Sequence, residues 1–346
     1  MSSTTTSAAS ATSAASACIT ATPGKNGYVP IDDCRAIWPY SPSFAAAILF
    51  VVLFGMSNII HIFQAFTYRK KFCWVIIMAA TWETTGFVLR SIASRHQLNL
   101  QIYLPEELFI LLSPIWINAF DYMILGRMVH YFLPEQKVFG ISAIKFAKYF
   151  VWLDIVAFLI QATGGSMISG GNSSSAQSEA GLHIYMGGIG LQQFFILIFT
   201  SAAVAFHRRM LVLEKQGALE KWNWRPLLYT LYASLTLISI RIIYRLVQYS
   251  SGFLSTIPVH EAYFYCFEAL PMALALLLMN ITHPGRSLVG PESEFPTKTR
   301  EEKKEEKRQK KGAKKAKKEQ KKWGKTEESA VWGLKDGRRY GEDGVA

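Results

Sequence analysis

Residues 43–66 read SFAAAILFVVLFGMSNIIHIFQAF, twenty-four positions without one Lys, Arg, Asp or Glu. A soluble helix of that length keeps charged side chains on its water-facing side. A bilayer core, in contrast, takes about 20 apolar residues as a single α-helix. The stretch therefore reads as a membrane span and fixes the class of the whole chain.

Six further apolar runs follow it, at Phe72–Ser94, Leu108–Phe132, Phe146–Ile168, Ile184–Phe206, Pro226–Tyr249 and Glu261–Ile281. Spanning strands would alternate apolar and polar residues over about 10 positions, and these runs do not. The expectation is an all-α membrane protein, a seven-transmembrane helix bundle. The chain of 346 residues has a mean hydropathy of +0.17 in spite of two very polar ends.

Lys and Arg set the expected orientation. The loops after runs one, three and five carry eleven with their flanks: Arg69, Lys70, Lys71, Lys137, Lys145, Lys148, Arg208, Arg209, Lys215, Lys221 and Arg225. The segment from Arg286 onward adds nineteen, while the opposite side holds only Lys25, Arg35 and Arg95. Cytosolic loops keep the positive charge, which places the N-terminus outside and the C-terminus in the cytosol.

Three regions follow: a Ser/Thr-rich extracytoplasmic tail at 1–42, the helical domain at 43–285 and a basic cytosolic tail at 286–346. The first tail has no basic start followed by an apolar core, so it does not read as a signal peptide. Its composition suits a disordered, O-glycosylated segment. Asn172-Ser173-Ser174 is an N-glycosylation sequon on the outer side. Cys18 and Cys34 share the outer tail and are candidates for a disulfide; Cys73 and Cys266 read as packing residues. Lys298–Lys325 is dense in Lys and Glu. A solvated helix with Glu–Lys pairs explains it, and attraction to anionic cytosolic-leaflet lipids is the sharper reading. Nucleic acid ranks last among its partners, because the segment is tethered to a membrane.

The charges inside the spans carry most of the information, since ionisable groups in a bilayer are costly and usually face the bundle interior or a water-filled cavity. Glu83, Asp121 and Asp154 share one depth, with Arg127 below them. Arg90, Arg241, Arg245 and Glu268 fall in the other half, and Glu261 marks the outer mouth. Arg241 and Arg245, four apart, share one helix face. Gln161 and Gln192, with His61 and Gln64, extend a polar lining. Two readings stand: structural ion pairs that fix helix packing, or a polar path for a headgroup. Pro114 and Pro271 are expected to kink their helices. Gly164-Gly165, Gly170-Gly171 and Gly187-Gly188 read as close helix contacts.

Together these positions resemble the fungal lipid-translocating exporters of the RTA-like group. The likeness runs from about Tyr40 to Arg286. It rests on Glu83-x-x-Gly86-Phe87-x-x-Arg90, Tyr122-x-x-Leu125-Gly126-Arg127, and Asp154 with Gln161 and Gly164-Gly165. It continues through Gly188-x-x-Leu191-Gln192, Arg241-x-x-Tyr244-Arg245, His260-Glu261, Glu268-Ala269-Leu270-Pro271 and His283-Pro284-Gly285. Two positions depart: Gln248 stands where the group usually has Glu, and Asp121 where it usually has a neutral residue.

The resemblance implies export of amphipathic lipids such as sphingoid long-chain bases, resistance to toxic lipid-like compounds, and a plasma-membrane location. A sphingoid amine suits carboxylates within the bundle. Glu83, Asp154 and Glu268 are therefore the expected stations, with Arg90, Arg127, Arg241 and Arg245 as counter-charges. No phosphate-binding loop and no H-E-x-x-H motif occur in the sequence, so neither an ATP motor of that type, a cofactor nor catalysis is expected. A seven-helix lipid sensor without transport activity is the alternative.

Overall fold

The computed structural model describes residues 20–169, 175–217, 223–250 and 256–295, together with 301, 305, 308, 309 and 311–313. Asn172 and Cys18 lie outside the described residues, as does most of Lys298–Lys325. Two compact units divide between Glu294 and Phe295. In the second, the described residues from 301 onward are helical and exposed.

The first unit is built from long helices. α1 (Phe44–Tyr68) starts where the Ser43 hydroxyl accepts the Ala46 N–H and stops at Arg69 in the left-handed region. α2 is Trp74–Arg95. α3 (Leu100–Phe132) is capped by the Asn99 side chain, which accepts the Gln101 N–H. α4 is Ala143–Ser169, α5 is Ser175–Lys215 and α6 is Arg225–Ser250. α7 runs in three consecutive pieces: Glu261–Phe264, a π-helical turn at Tyr265–Ala269, and Leu270–Ile281. Between α3 and α4, strands β1 (Lys137–Val138) and β2 (Ile141–Ser142) form a two-residue antiparallel pair.

Among the described residues, α1, α2, α3, α5, α6 and α7 are long and apolar enough to cross a membrane. The protein is an all-α integral membrane protein. The fourth expected run became α4, which has 27 residues and is not one of those six. Most boundaries fall within a few residues of expectation; α3 and α5 do not. α3 starts eight residues early, at Leu100 instead of Leu108, and α5 extends at both ends to 41 residues. At 1.5 Å per residue α5 is about 60 Å long, twice a hydrocarbon core.

Neighbours in sequence pack in order from α1 to α7, and α7 returns to α1, closing a ring. α3 also touches α6 across it and is the most enclosed span, with 61% of its core window buried against 28% for α1. Phe63 and Phe66 of α1 are 70% and 78% exposed, as a lipid-facing surface requires. The inner face of α1 stacks Phe50 and Phe54 on Phe87 of α2 at 5.4 and 5.2 Å, and Phe50 on Tyr265 of α7 at 5.2 Å. Gln64 donates to the Asn280 carbonyl at 2.7 Å, and Asn280 to the Ser57 hydroxyl at 2.6 Å.

α4 and α5 meet through glycines. A Cβ on Gly188 would lie 2.9 Å from the Gln161 nitrogen, and one on Gly164 would lie 2.6 Å from the Gly181 carbonyl. Close packing, the reading given above, accounts for both positions. The two ends of the bundle differ. At the end holding Tyr40, chain segments frame a cavity. At the end holding His283, the segment after α7 packs back onto the bundle: Lys70 donates to the Ser293 hydroxyl at 2.7 Å and Tyr131 to the Val289 carbonyl at 2.8 Å. The packed unit therefore continues past 285.

Gly188→Val should destabilise the protein by about 1–3 kcal/mol through overpacking, read as a lower melting temperature in detergent micelles. Gly190→Val, where nothing lies within 4 Å of an added Cβ, should leave the melting temperature unchanged.

Candidate functional site

Pro271 shapes the site first. It has no N–H to give the preceding turn, and its ring crowds the carbonyl four residues back. The backbone widens there into the π turn Tyr265–Ala269, a feature that recurs at functional sites. Glu268 sits in that turn and is 2% exposed.

Two guanidiniums from α6 converge on it. Arg241 Nη2 donates to Glu268 Oε1 at 3.0 Å and to the Ile110 carbonyl of α3 at 3.3 Å. Arg245 Nε donates to the same carboxylate oxygen at 2.9 Å, its Nη2 donates there too, and its Nη1 donates to the Tyr185 hydroxyl of α5 at 2.9 Å. One carboxylate thus joins four helices. Behind the arginines lies a void of about 10 Å³ bordered by Gln161 and Gln192, room for about one water. These two amides bond each other at 3.1 Å, linking α4 to α5.

Arg90 of α2 makes a second node. It is fully buried and donates to Glu106 of α3 at 2.8 Å, to the Tyr40 hydroxyl at 2.7 Å and to the Tyr265 hydroxyl at 3.4 Å. Glu261 stands 3.7 Å away and also accepts the Ser43 N–H at the head of α1, at 2.8 and 3.0 Å. The Phe264 ring covers the guanidinium at 3.9 Å and Trp38 approaches at 4.7 Å.

A cavity of about 490 Å³ lies between the nodes. Arg245, Glu268, Glu107 and Asp33 line its charged part; Trp38, Tyr103, Tyr244, Tyr249 and Phe264 supply aromatic wall; Gln248 and His260 add to the polar lining. Ile31–Tyr40 forms one side of it. Asp33 fixes that segment by accepting from Arg35 at 2.9, 3.0 and 3.2 Å and from the Ala21 N–H at 2.9 Å. The Arg35 guanidinium holds the Asp33 carboxyl well below the usual carboxylate range. Burial pushes the Tyr40 phenol above its ordinary value. Cys34 is disulfide-bonded.

The remaining expected residues sit elsewhere. Asp121 accepts from Ser234 of α6 at 2.7 Å. Asp154 of α4 accepts from Tyr122 and Asn118 of α3 at 2.9 and 3.1 Å. Glu83 is 1% exposed, and its Oε1 has no hydrogen-bond partner. Arg127 stacks over Phe72 at 3.9 Å, toward the His283 end. Arg241, Arg245 and Glu268 therefore meet with Gln161 and Gln192, and Arg90 meets Glu261. Asp121 and Asp154 occupy separate helix contacts, whereas Glu83 lies within electrostatic reach of Arg241 and Glu268 without joining their ion pairs.

Sequence reading missed Glu106 and Glu107. Pro105 followed by two acids looks like the first turn of a helix, which puts both outside the span. The Asn99 cap was the available signal for the earlier start.

Comparison with known proteins follows the same helices. The family model described as "RTA1 like protein" matches residues 76–290. The chain is 45% identical over 312 residues to "Probable lipid transporter atnI" of Emericella nidulans, covering 88% of this chain and 81% of that one. It is 29% identical to "Protein RTA1" of Saccharomyces cerevisiae, covering 72% and 84%. It is 21% identical to "Sphingoid long-chain base transporter RSB1" of the same species, covering 75% and 76%. No solved structure matches it.

Removing Arg90 should be severe. Arg90→Met strands Glu106 in the interior and should cost about 3–5 kcal/mol, seen as a large fall in melting temperature. Arg90→Met combined with Glu106→Gln should recover most of that loss.

Proposed function

The chain belongs to the RTA1-like family, and on that premise we propose that it translocates amphipathic lipids, with single-chain lipid amines such as sphingoid bases as cargo. One observation carries the choice of cargo. Among the carboxylates lining the cavity, Glu268 is already held by two guanidiniums and Asp33 by Arg35, whereas Glu107 forms no ion pair among the described residues. A half-buried carboxylate beside aromatic rings suits an ammonium group, which gains from the anion and from the ring faces together. The volume lies in the range of small-ligand sites. Relatives named as a lipid transporter and a sphingoid long-chain base transporter support lipid cargo.

We read α4 as the seventh span. The Lys and Arg distribution then sets the Tyr40 end outside and the His283 end in the cytosol. In this arrangement the cavity opens outward. Glu83, Asp121, Asp154 and the Gln161–Gln192 pair continue the polar groups toward the cytosol. The basic composition of Lys298–Lys325 suits attraction to anionic inner-leaflet lipids, and the plasma membrane is the compartment that suits this reading.

A second reading has its own support. The segment 283–293 packs across the His283 end through Lys70 and Tyr131, which suits a receptor that binds lipid without passing it on.

Flux of a fluorescent sphingoid base into liposomes holding the purified protein, without ATP, separates the two. Flux above empty liposomes is expected, and Glu107→Gln should reduce it about 10-fold or more, matching the loss of a charged hydrogen bond. Saturable binding without flux in folded protein would establish the sensor instead.

A further inference from the structure

The apolar runs of α3 and α5 end on the same side of the bundle, at Phe132 and Phe206. A cavity of about 480 Å³ begins where they stop. One wall is Leu133, Pro134 and Glu135, in the turn that leaves α3; the other is Arg208, Arg209, Val212 and Leu213, on the extension of α5. At about 1.5 Å per residue, the α5 wall lies about 3–10 Å past Phe206. A lipid headgroup layer is about 5–8 Å deep, so the cavity sits within it. The turn is held by its own backbone: the Leu133 carbonyl accepts the Gln136 N–H at 3.1 Å, and the Gln136 carbonyl accepts the Ala143 N–H at 3.0 Å. β1 rests against α5, which closes the far side.

The charges around the cavity do not balance. Glu135 accepts from Arg209 at 2.9 Å, whereas Arg208 forms no ion pair among the described residues. Glu214, one residue past the lining, is held by Arg225 at 2.8 Å. Two guanidiniums against one carboxylate leave the lining with one positive charge. Lys137 of β1 and Lys215 at the end of α5 flank it with the same sign.

We propose that this cavity binds the headgroup of a phospholipid with net negative charge, its phosphate on Arg208 and Arg209 and its glycerol end against the apolar wall. A guanidinium presents planar donors that can meet two phosphate oxygens at once. The apolar wall selects a lipid over a free anion. Inorganic phosphate would leave Val212 and Leu213 facing water, whereas the glycerol and first acyl carbons of a lipid cover them. The unmatched positive charge selects an anionic headgroup over a zwitterionic one. On the orientation proposed above, the lipid comes from the cytosolic leaflet, where anionic lipids concentrate. This site is separate from the cavity at the Tyr40 end and from the basic segment Lys298–Lys325, and it does not depend on which cargo the protein moves.

Native mass spectrometry of the purified, delipidated full chain, titrated in detergent with dioleoyl phosphatidylserine or dioleoyl phosphatidylcholine, tests the site. Wild-type protein should retain one phosphatidylserine at concentrations where phosphatidylcholine is not held. Arg208→Gln combined with Arg209→Gln should weaken that retention about 10-fold or more, matching the loss of charged hydrogen bonds. Both arginines are exposed, so the double variant should keep the wild-type melting temperature. Millimolar inorganic phosphate should not displace the lipid. Equal retention of the two lipids by wild-type protein would overturn the proposal whether or not the variant folds. Unchanged phosphatidylserine retention in the double variant would overturn it in favour of the basic tail. Displacement by inorganic phosphate would overturn the lipid assignment in favour of a plain anion site.

Discussion

Glu268 and the two arginines that hold it are the constraint on which the bundle depends. In a site closed to water, a lone charge costs several kcal/mol, and only a partner with good geometry offsets it. The Glu268 carboxylate draws Arg241 and Arg245 from α6. Arg241 in turn reaches the α3 backbone, and Arg245 reaches Tyr185 of α5. None of those groups can be removed without leaving another unmatched. Arg90 repeats the logic for α1, α2, α3 and α7 through Glu106, Glu261, Tyr40 and Tyr265. The cavity exists because two such nodes stand apart and the segment Ile31–Tyr40 lies against the gap.

Much of this was legible in the sequence because bilayer physics leaves few choices. The charge-free stretch at 43–66 and the later apolar runs located every helix, most within a few residues, while α3 and α5 run eight or nine residues further than their apolar cores. Charges inside those runs had to face inward, and Arg241, Arg245 and Glu268 do meet. Their partners were less legible. A span's hydropathy says nothing about which helix a buried Arg will face: Arg90 shares the half of the bundle that holds Glu268, yet it pairs with Glu106 of α3. Glu106 stands just ahead of the apolar run that begins at Leu108, inside a helix that starts at Leu100. Trp38 and Tyr40 were equally hidden, since aromatic residues ahead of a first span give no local signal that they fold back over it.

The two departures from the family pattern also separate in space. Asp121 is fully buried against Ser234, at a contact between α3 and α6 away from both arginine nodes. Gln248 lines the cavity itself. An amide there, where the resemblance leads one to expect a carboxylate, makes Glu107 the cavity's carboxylate without an ion pair among the described residues. The π turn adds a mechanical element to the same site. Its widened backbone, held between Glu261 and Pro271, places Tyr265 toward Arg90 and Glu268 toward Arg241. Any rotation of α7 about that turn moves both nodes at once.

The central claim is that a lipid amine enters the cavity at the Tyr40 end instead of sliding along the outer surface of the bundle. Photolabelling with a photoreactive sphingoid base, followed by peptide mapping, tests it directly. The account predicts adducts on the cavity wall, at Trp38–Tyr40 and at Tyr244–Tyr249, competed away by unlabelled amine. Adducts confined to the lipid-facing surface of α1, at Phe63 and Phe66, and insensitive to competitor would contradict it.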